Sequence, residues 1–162
     1  MEHPSRAGSA FGRRDMLRLA ALAPAAAALT TACSSSSQKA PDQLEALASD
    51  ARSDAALARA VAGAHPDLAE KASTVATTRS AHADALRREV ERVNPPDPEQ
   101  PQPAPPKVAA PASSPQATQA ISEALRSAQA KTAQLVPDLP AYRAGLTGSI
   151  SASCAGLLEV LA

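Results

Sequence analysis

The sequence predicts an all-α protein: a four-helix bundle made of two αα-hairpins joined by a Pro-rich linker and preceded by a signal peptide. Four segments carry apolar residues at helical spacing, and none alternates as a strand does. Nine of the 15 prolines fall within residues 94–115, between the second and third segments. The connections inside each pair of segments are short, which favours antiparallel hairpins.

The start of the chain has the layout of an export signal. The apolar run over residues 19–32 would be about 21 Å long as a helix, too short to cross a hydrocarbon core of about 30 Å. Arginines precede it and small residues follow it, as in signals that are removed on export. We therefore predict a signal peptide over residues 1–32, a flexible Ser-rich tether over 33–41 and the bundle over 42–162.

Two motifs within this signal resemble known export and lipidation sequences. The stretch "GRRDMLR" is similar to a twin-arginine motif, with Arg13 and Arg14 as the pair. The stretch "LTTAC" resembles a lipobox, which implies a diacylglycerol on the thiol of Cys33 and a protein anchored to the outer face of the cell membrane. The alternative is that the arginines are ordinary signal charges and Cys33 an incidental cysteine.

The composition excludes several classes of function. Removing the signal removes four arginines and two acids, so the mature chain is slightly acidic and has no basic stripe for nucleic acid. One Tyr, one Phe and no Trp leave little to stack on nucleotides or sugars. If Cys33 is acylated, Cys154 has no disulfide partner, and we interpret it as a small apolar residue on a helix face.

The first hairpin is predicted from two apolar stripes. The first helix spans about 42–62, with Asp42 and Glu45 as a capping box and Gly63 as the residue that ends it. The second spans about 66–93 and begins at Pro66, a residue favoured in a first helical turn. Its stripe includes one charged residue, Arg79.

The linker over residues 94–114 favours the extended polyproline II conformation. At roughly 3.1 Å per residue it is longer than the second helix. It could therefore cross over the bundle, or loop out and return.

The second hairpin comprises helices over about 115–136 and 140–161. Ser114 is the predicted N-cap of the third helix. The fourth has a predicted apolar face formed by Tyr142, Leu146, Ile150, Ser153, Leu157 and Leu161. Its glycines, Gly145, Gly148 and Gly156, each cost about 1 kcal/mol against Ala, so we expect a close approach to another helix to offset them.

A four-helix bundle invites comparison with ferritin-like proteins, whose two metal ions are held by Glu-x-x-His motifs and further glutamates. Only His65 and His82 remain after the signal, and neither follows a glutamate at that spacing. The chain also lacks nucleophile-elbow, Cys-x-x-Cys and phosphate-loop motifs. We therefore predict no metal, no cofactor and no catalytic residue.

Three residues are candidates for contact with a ligand or partner: Arg79, His82 and Tyr142. Arg79 and His82 could form a pocket for an anion or an acidic peptide. Alternatively, Arg79 pairs with an acid such as Asp50 or Glu123 on a facing helix. Tyr142 and Arg143 can equally be a core aromatic and a surface charge. If Arg79, His82 and Tyr142 converge on one concave pocket, an enzyme becomes a serious alternative.

As a whole the chain resembles the uncharacterised alanine-rich, twin-arginine-exported lipoproteins of mycobacteria and related actinobacteria. The resemblance lies in the signal and in "HPDLAEKAS", "RSAHADALRREV" and "LVPDLPAYRAGLTGSISASCAGL". This resemblance implies where the protein is located, but it does not imply any activity. We expect a non-enzymatic, lipid-anchored interaction or assembly module for another envelope protein. The alternatives are a small-ligand or metal-binding protein of ferritin-like ancestry and an enzyme of unknown type.

Overall fold

The computed structural model describes residues 41–96, 98–99, 104 and 106–162. Within these residues it contains four α-helices and no strand, as predicted. The helices are α1 (Gln43–Ala64), α2 (Ala69–Val93), α3 (Ser114–Leu135) and α4 (Ala141–Leu161). The predicted signal over 1–32, with Arg13 and Arg14, and the tether from Cys33 to residue 40 lie outside the described residues.

Helix boundaries follow from local chemistry with small corrections. The side chain of Asp42 accepts a hydrogen bond from the N–H of Leu44 at 2.9 Å and caps α1, as predicted. Gly63 does not end α1, because its backbone is helical and His65 is the C-terminal cap. The N-cap of α3 is Ser113 rather than Ser114, which is the first helical residue.

Short 3₁₀ turns make both hairpin connections. Pro66–Leu68 joins α1 to α2, and Val136–Asp138 joins α3 to α4. Each turn has a proline near its start, which fixes one backbone angle and removes an N–H that would have no helical partner. These stiff turns hold each pair of helices antiparallel.

The two hairpins pack so that α1 contacts α2 and α3, while α4 contacts α3 and α2. Lys131 near the end of α3 pairs with Asp50 near the start of α1 at 2.7 Å. Arg143 at the start of α4 pairs with Glu89 near the end of α2 at 3.0 Å. Each pair of neighbouring helices is therefore antiparallel, and α1 and α4 lie on one diagonal.

This order of helices settles the route of the linker. The end of α2 lies beside Asp42, which precedes α1, because Arg143 contacts both Glu89 and Asp42. The start of α3 lies at the opposite end, where Ser114 donates to Asp67 at 3.0 Å. The linker therefore crosses the length of the bundle, about 33 Å for a 22-residue helix. A polyproline II segment with the length of the linker, at roughly 3.1 Å per residue, is long enough for that span.

The core runs through the middle of the four helices and is rich in alanine. The apolar residues at helical spacing in the first three helices are mostly buried, although Val93, the last of them in α2, is exposed, and the charged residue Glu89 is buried. The face predicted for α4 is wrong in part, because Tyr142 and Ser153 do not lie in the core. Its fully buried residues are Thr147, Ile150, Cys154, Leu157 and Leu161.

Candidate functional site

The centre of the bundle holds a cluster of four residues that we call the central cluster: Asp54, Arg79, His82 and Cys154. Arg79 is only 2% exposed. Its guanidinium donates twice to Asp54 Oδ2, from Nη2 at 2.7 Å and from Nε at 3.1 Å. Its Nη1 lies 3.1 Å from His82 Nδ1 and 3.6 Å from Cys154 Sγ. Arg79 thus pairs across helices as expected, but with Asp54 rather than Asp50 or Glu123.

Burial controls the protonation of this central cluster. It lowers the pKa of His82 from 6.5 to about 4, and the neighbouring positive charge of Arg79 adds to that effect. Burial also raises the pKa of Asp54, against the opposing influence of Arg79. The thiol pKa of Cys154 is raised by burial as well. His82 is therefore neutral and Cys154 a protonated thiol at neutral pH, a state unsuited to nucleophilic attack.

Tyr142 does not join Arg79 and His82. Its side chain is 71% exposed at the start of α4. The next residue, Arg143, contacts Glu89 on α2, and it precedes Cys154, which contacts Arg79, by eleven residues or about 16 Å along α4. The three candidates therefore do not converge on one pocket, and the expectation that Tyr142 is a core aromatic and Arg143 a surface charge is reversed.

Arg143 instead organises a second group, which we call the end cluster: Asp42, Glu89, Arg92 and Arg143. Its guanidinium binds both oxygens of Asp42, at 2.6 and 3.2 Å, and donates from Nε to Glu89 at 3.0 Å. Arg92 also binds both oxygens of Glu89, at 2.8 and 2.9 Å. The hydrogen bonds from Arg92 and Arg143 outweigh burial and lower the pKa of Glu89 to about 2. The end cluster joins α1, α2 and α4 through ion pairs, and each of its charged groups has a partner of opposite charge.

The sequence contains one indication of the end cluster, a charged residue at a core position of α2. Glu89 occupies the apolar stripe of α2 between Leu86 and Val90, and it is 4% exposed. A charged residue at a core position is found buried only when it is paired. Its position therefore required a cationic partner, and the structure supplies two: Arg92 on the same helix and Arg143 on α4.

A third polar contact fixes the far end of the linker. His65 Nε2 lies 2.8 Å from the carbonyl oxygen of Pro111, and its Nδ1 lies 3.3 Å from the hydroxyl of Ser114. His65 therefore ties the linker and the start of α3 to the end of α1. In the described residues, no three His, Cys, Asp or Glu side chains gather as a metal site requires.

A wide groove lies between α1 and α2 and is lined in part by described residues of the linker. We call it the α1–α2 groove. Its volume is about 1080 Å³. Three sets of residues line it: from α1 Glu45, Ala48, Arg52, Ala55, Ala56 and Arg59; from α2 Ser80, Ala83, Asp84, Arg87, Val90 and Glu91; and from the linker Asn94, Pro96, Pro106, Lys107 and Val108.

The outer face of α4 is the second unusual surface. By length and composition alone α4 is apolar enough to cross a membrane, with a mean hydropathy of 1.3, yet only 28% of that window is buried. A Cβ added at Gly145 or Gly156 would meet nothing within 4 Å, and one at Gly148 would make an ordinary contact with Val136 at 3.9 Å. The expected close approach to another helix is therefore absent at these glycines among the residues that the structure describes.

The chain matches no protein-family model, no curated protein and no solved structure.

Proposed function

We propose that this protein is exported, anchored to the outer face of the cell membrane through lipid on Cys33, and acts as a non-enzymatic interaction or assembly module for another envelope protein. The compartment rests on the signal layout of residues 1–32 and on the "LTTAC" stretch. The mode of action rests on the outer face of α4, which is the observation that carries the proposal.

That face is small, uncharged and unpartnered in the described structure. Its exposed positions between Arg143 and Glu159 are Gly145, Ser149, Ala152 and Gly156. A glycine inside a helix costs about 0.5–1 kcal/mol relative to Ala, and no contact with a described residue offsets that cost at Gly145 or Gly156. Small residues on one helix face let a second helix approach closely. We infer that the second helix belongs to a partner protein.

The two ionic clusters support a structural role for the buried polar groups. Every charge in the central and end clusters has a partner, and no buried side-chain nitrogen or oxygen of the described residues lacks a hydrogen bond. A catalytic group needs access to substrate, whereas Arg79 and Cys154 are enclosed. Their arrangement supports a role in holding α1, α2 and α4 together.

Site-specific photo-crosslinking in the native envelope tests the partner. A crosslinker at Ser149 should give a discrete product, and one at Ser53, exposed on α1, should not. Ala152→Lys places a charge on the proposed face and should abolish the product, whereas the matched variant Ala130→Lys on exposed α3 surface should leave it unchanged. Equal products from Ser149 and Ser53, or a product that survives Ala152→Lys, would contradict the proposal.

Acyl labelling and fractionation test the anchor. Cys33→Ala should abolish the label and release the protein from the membrane, because a thiol is needed to carry the lipid. Unchanged membrane retention would mean that the apolar run over residues 19–32 is itself the anchor. Replacing Arg13 and Arg14 by Lys should hold the protein in the cytosol, and unchanged export would contradict the twin-arginine route.

Elemental analysis separates this proposal from the metal-binding alternative. We expect the purified mature protein to contain no stoichiometric metal. One equivalent of iron, zinc or manganese would favour the ferritin-like alternative instead.

A further inference from the structure

The α1–α2 groove has an apolar floor of small side chains. Ala48, Ala55, Ala83 and Val90 lie at the bottom, and each is at most 9% exposed. Alanine fills little of the space between two helices, so the floor is a trough rather than a flat surface. Along α1 it runs from Glu45 to Arg59, about 21 Å. The space is therefore long, narrow and apolar at its base.

The described residues that line the groove include four cations and three acids. Arg52, Arg59 and Lys107 make no ion pair among the described residues, and Arg59 donates to the hydroxyl of Ser80. Arg87 is already shared by Asp84 and Glu91, at 3.4 and 3.9 Å. Glu45 is the only further acid among the described residues that line the groove. An anionic group near Arg52 and Arg59 would thus complement charges that carboxylates of the described chain leave unpaired.

The chemistry of the walls restricts the ligand. The groove has no aromatic lining, so it offers no stacking surface for a nucleobase or a sugar. The helical backbone of α1 and α2 uses its own N–H and C=O groups, so an extended peptide would find no backbone partner there. An alkyl chain needs neither a stacking surface nor a backbone hydrogen bond, and its binding is favoured by the removal of apolar area from water.

We propose that the α1–α2 groove binds an anionic lipid, with its alkyl chain on the alanine floor and its carboxylate or phosphate between Arg52 and Arg59. The linker residues Pro106 to Val108 cover the chain from above. This site is distinct from the outer face of α4, so it adds a ligand to the proposed function and does not depend on it.

Calorimetric titration of the full chain carrying Cys33→Ala tests the site without an attached lipid. The probes are dodecanoate, dodecanol and dodecyltrimethylammonium, each below its aggregation concentration, so that chain length is held constant while head charge changes. We expect dodecanoate to bind at a single site, dodecanol about tenfold more weakly, and the cationic probe more weakly still. Dodecyl phosphate then shows whether the carboxylate or the phosphate head is preferred.

Two variants locate the binding, with controls on the same or a similar surface. Ala56→Phe fills the trough from a partly exposed position and should weaken dodecanoate at least tenfold, whereas Ala81→Phe on the exposed face of α2 should not. The double change Arg52→Gln with Arg59→Gln should weaken dodecanoate about tenfold and leave dodecanol unchanged, with Arg88→Gln as the control. Circular dichroism confirms that each variant remains folded.

Four results would overturn the inference. The first is the absence of dodecanoate binding, and the second is equal affinity for the anionic, neutral and cationic probes. The third is binding that neither Ala56→Phe nor the double arginine variant weakens. Capture of an acidic helical peptide by the groove, without any affinity for dodecanoate, would also overturn it and assign the groove to a protein partner.

Discussion

Two arginines of the bundle, Arg79 and Arg143, differ in the number of carboxylates that bind them. Arg79, at the centre, has a single carboxylate partner in Asp54 and otherwise faces a neutral imidazole and a thiol. Arg143, at the end, is 15% exposed and shares two carboxylates, from Asp42 and Glu89. The central cluster therefore depends on one ion pair, whereas the end cluster has a second pair that remains if the first is lost.

The pKa values follow this difference. In the central cluster burial is the larger influence, so the pKa of Asp54 rises and that of His82 falls. In the end cluster the hydrogen bonds of Arg92 and Arg143 are the larger influence, so the pKa of Glu89 falls to about 2. The comparison shows that the number of partners, and not burial alone, decides whether a buried charge is stabilised.

The largest expected effect is at Asp54. Asp54→Ala leaves the guanidinium of Arg79 buried without a carboxylate and should lower the free energy of unfolding by about 3–5 kcal/mol in urea denaturation. Asp50→Ala, one turn earlier on α1, removes only an exposed pair with Lys131 and should cost about 0–1 kcal/mol. Equal losses for the two variants would show that the central cluster is not dependent on this pair.

The next effect is a pH dependence that comes from His82. The unfolded chain takes up a proton on this imidazole near pH 6.5, but the folded protein does so only near pH 4. Stability should therefore fall as pH falls from 6.5 to 4, by roughly 1–3 kcal/mol. The raised pKa of Asp54 acts with the opposite sign, so the test is the difference between the wild type and His82→Gln. Parallel curves of unfolding free energy against pH would contradict the assignment.

A smaller loss is expected at Glu89. Glu89→Gln should cost about 1–2 kcal/mol at pH 7, less than Asp54→Ala, because Arg143 keeps the carboxylate of Asp42. The depressed pKa means that this contribution is complete above pH 4.5 and is lost as pH falls to about 2. Chemical denaturation over that range should show the two proteins converging. Glu91→Gln, whose carboxylate is partly exposed, is the matched control.

The smallest effect has the opposite sign. Gly145→Ala and Gly156→Ala should each raise the free energy of unfolding by about 0.5–1 kcal/mol, because the added methyl meets open space and the helix gains propensity. Gly63→Ala in α1 is the control, since its Cβ would also meet nothing within 4 Å. If the two α4 variants stabilise the protein but weaken the crosslink from Ser149, the glycines serve the partner and not the fold.

Much of the candidate site could be anticipated and part of it could not. The stripe of α2 placed Arg79 on the inner face with His82 beside it, which the structure confirms. The predicted partners of Arg79, Asp50 and Glu123, are wrong, because the structure pairs Arg79 with Asp54. Asp50 and Asp54 lie one turn apart on α1, and only packing selects between them. The α1–α2 groove was not anticipated, because its shape depends on how two consecutive helices and the linker pack against one another, which apolar periodicity does not indicate.

The sequence by itself determined the four helices, their turns and the inner faces of α1, α2 and α3. Those properties follow from local periodicity, proline and capping residues, which act within a few residues of chain. The tertiary structure alone decided which face of α4 is buried. Small apolar residues lie on all sides of that helix, so its sequence does not indicate which face packs against the core. It also decided the ion-pair partners and the crossing of the linker, because both depend on how the helices pack within and between the two hairpins, which no local pattern encodes.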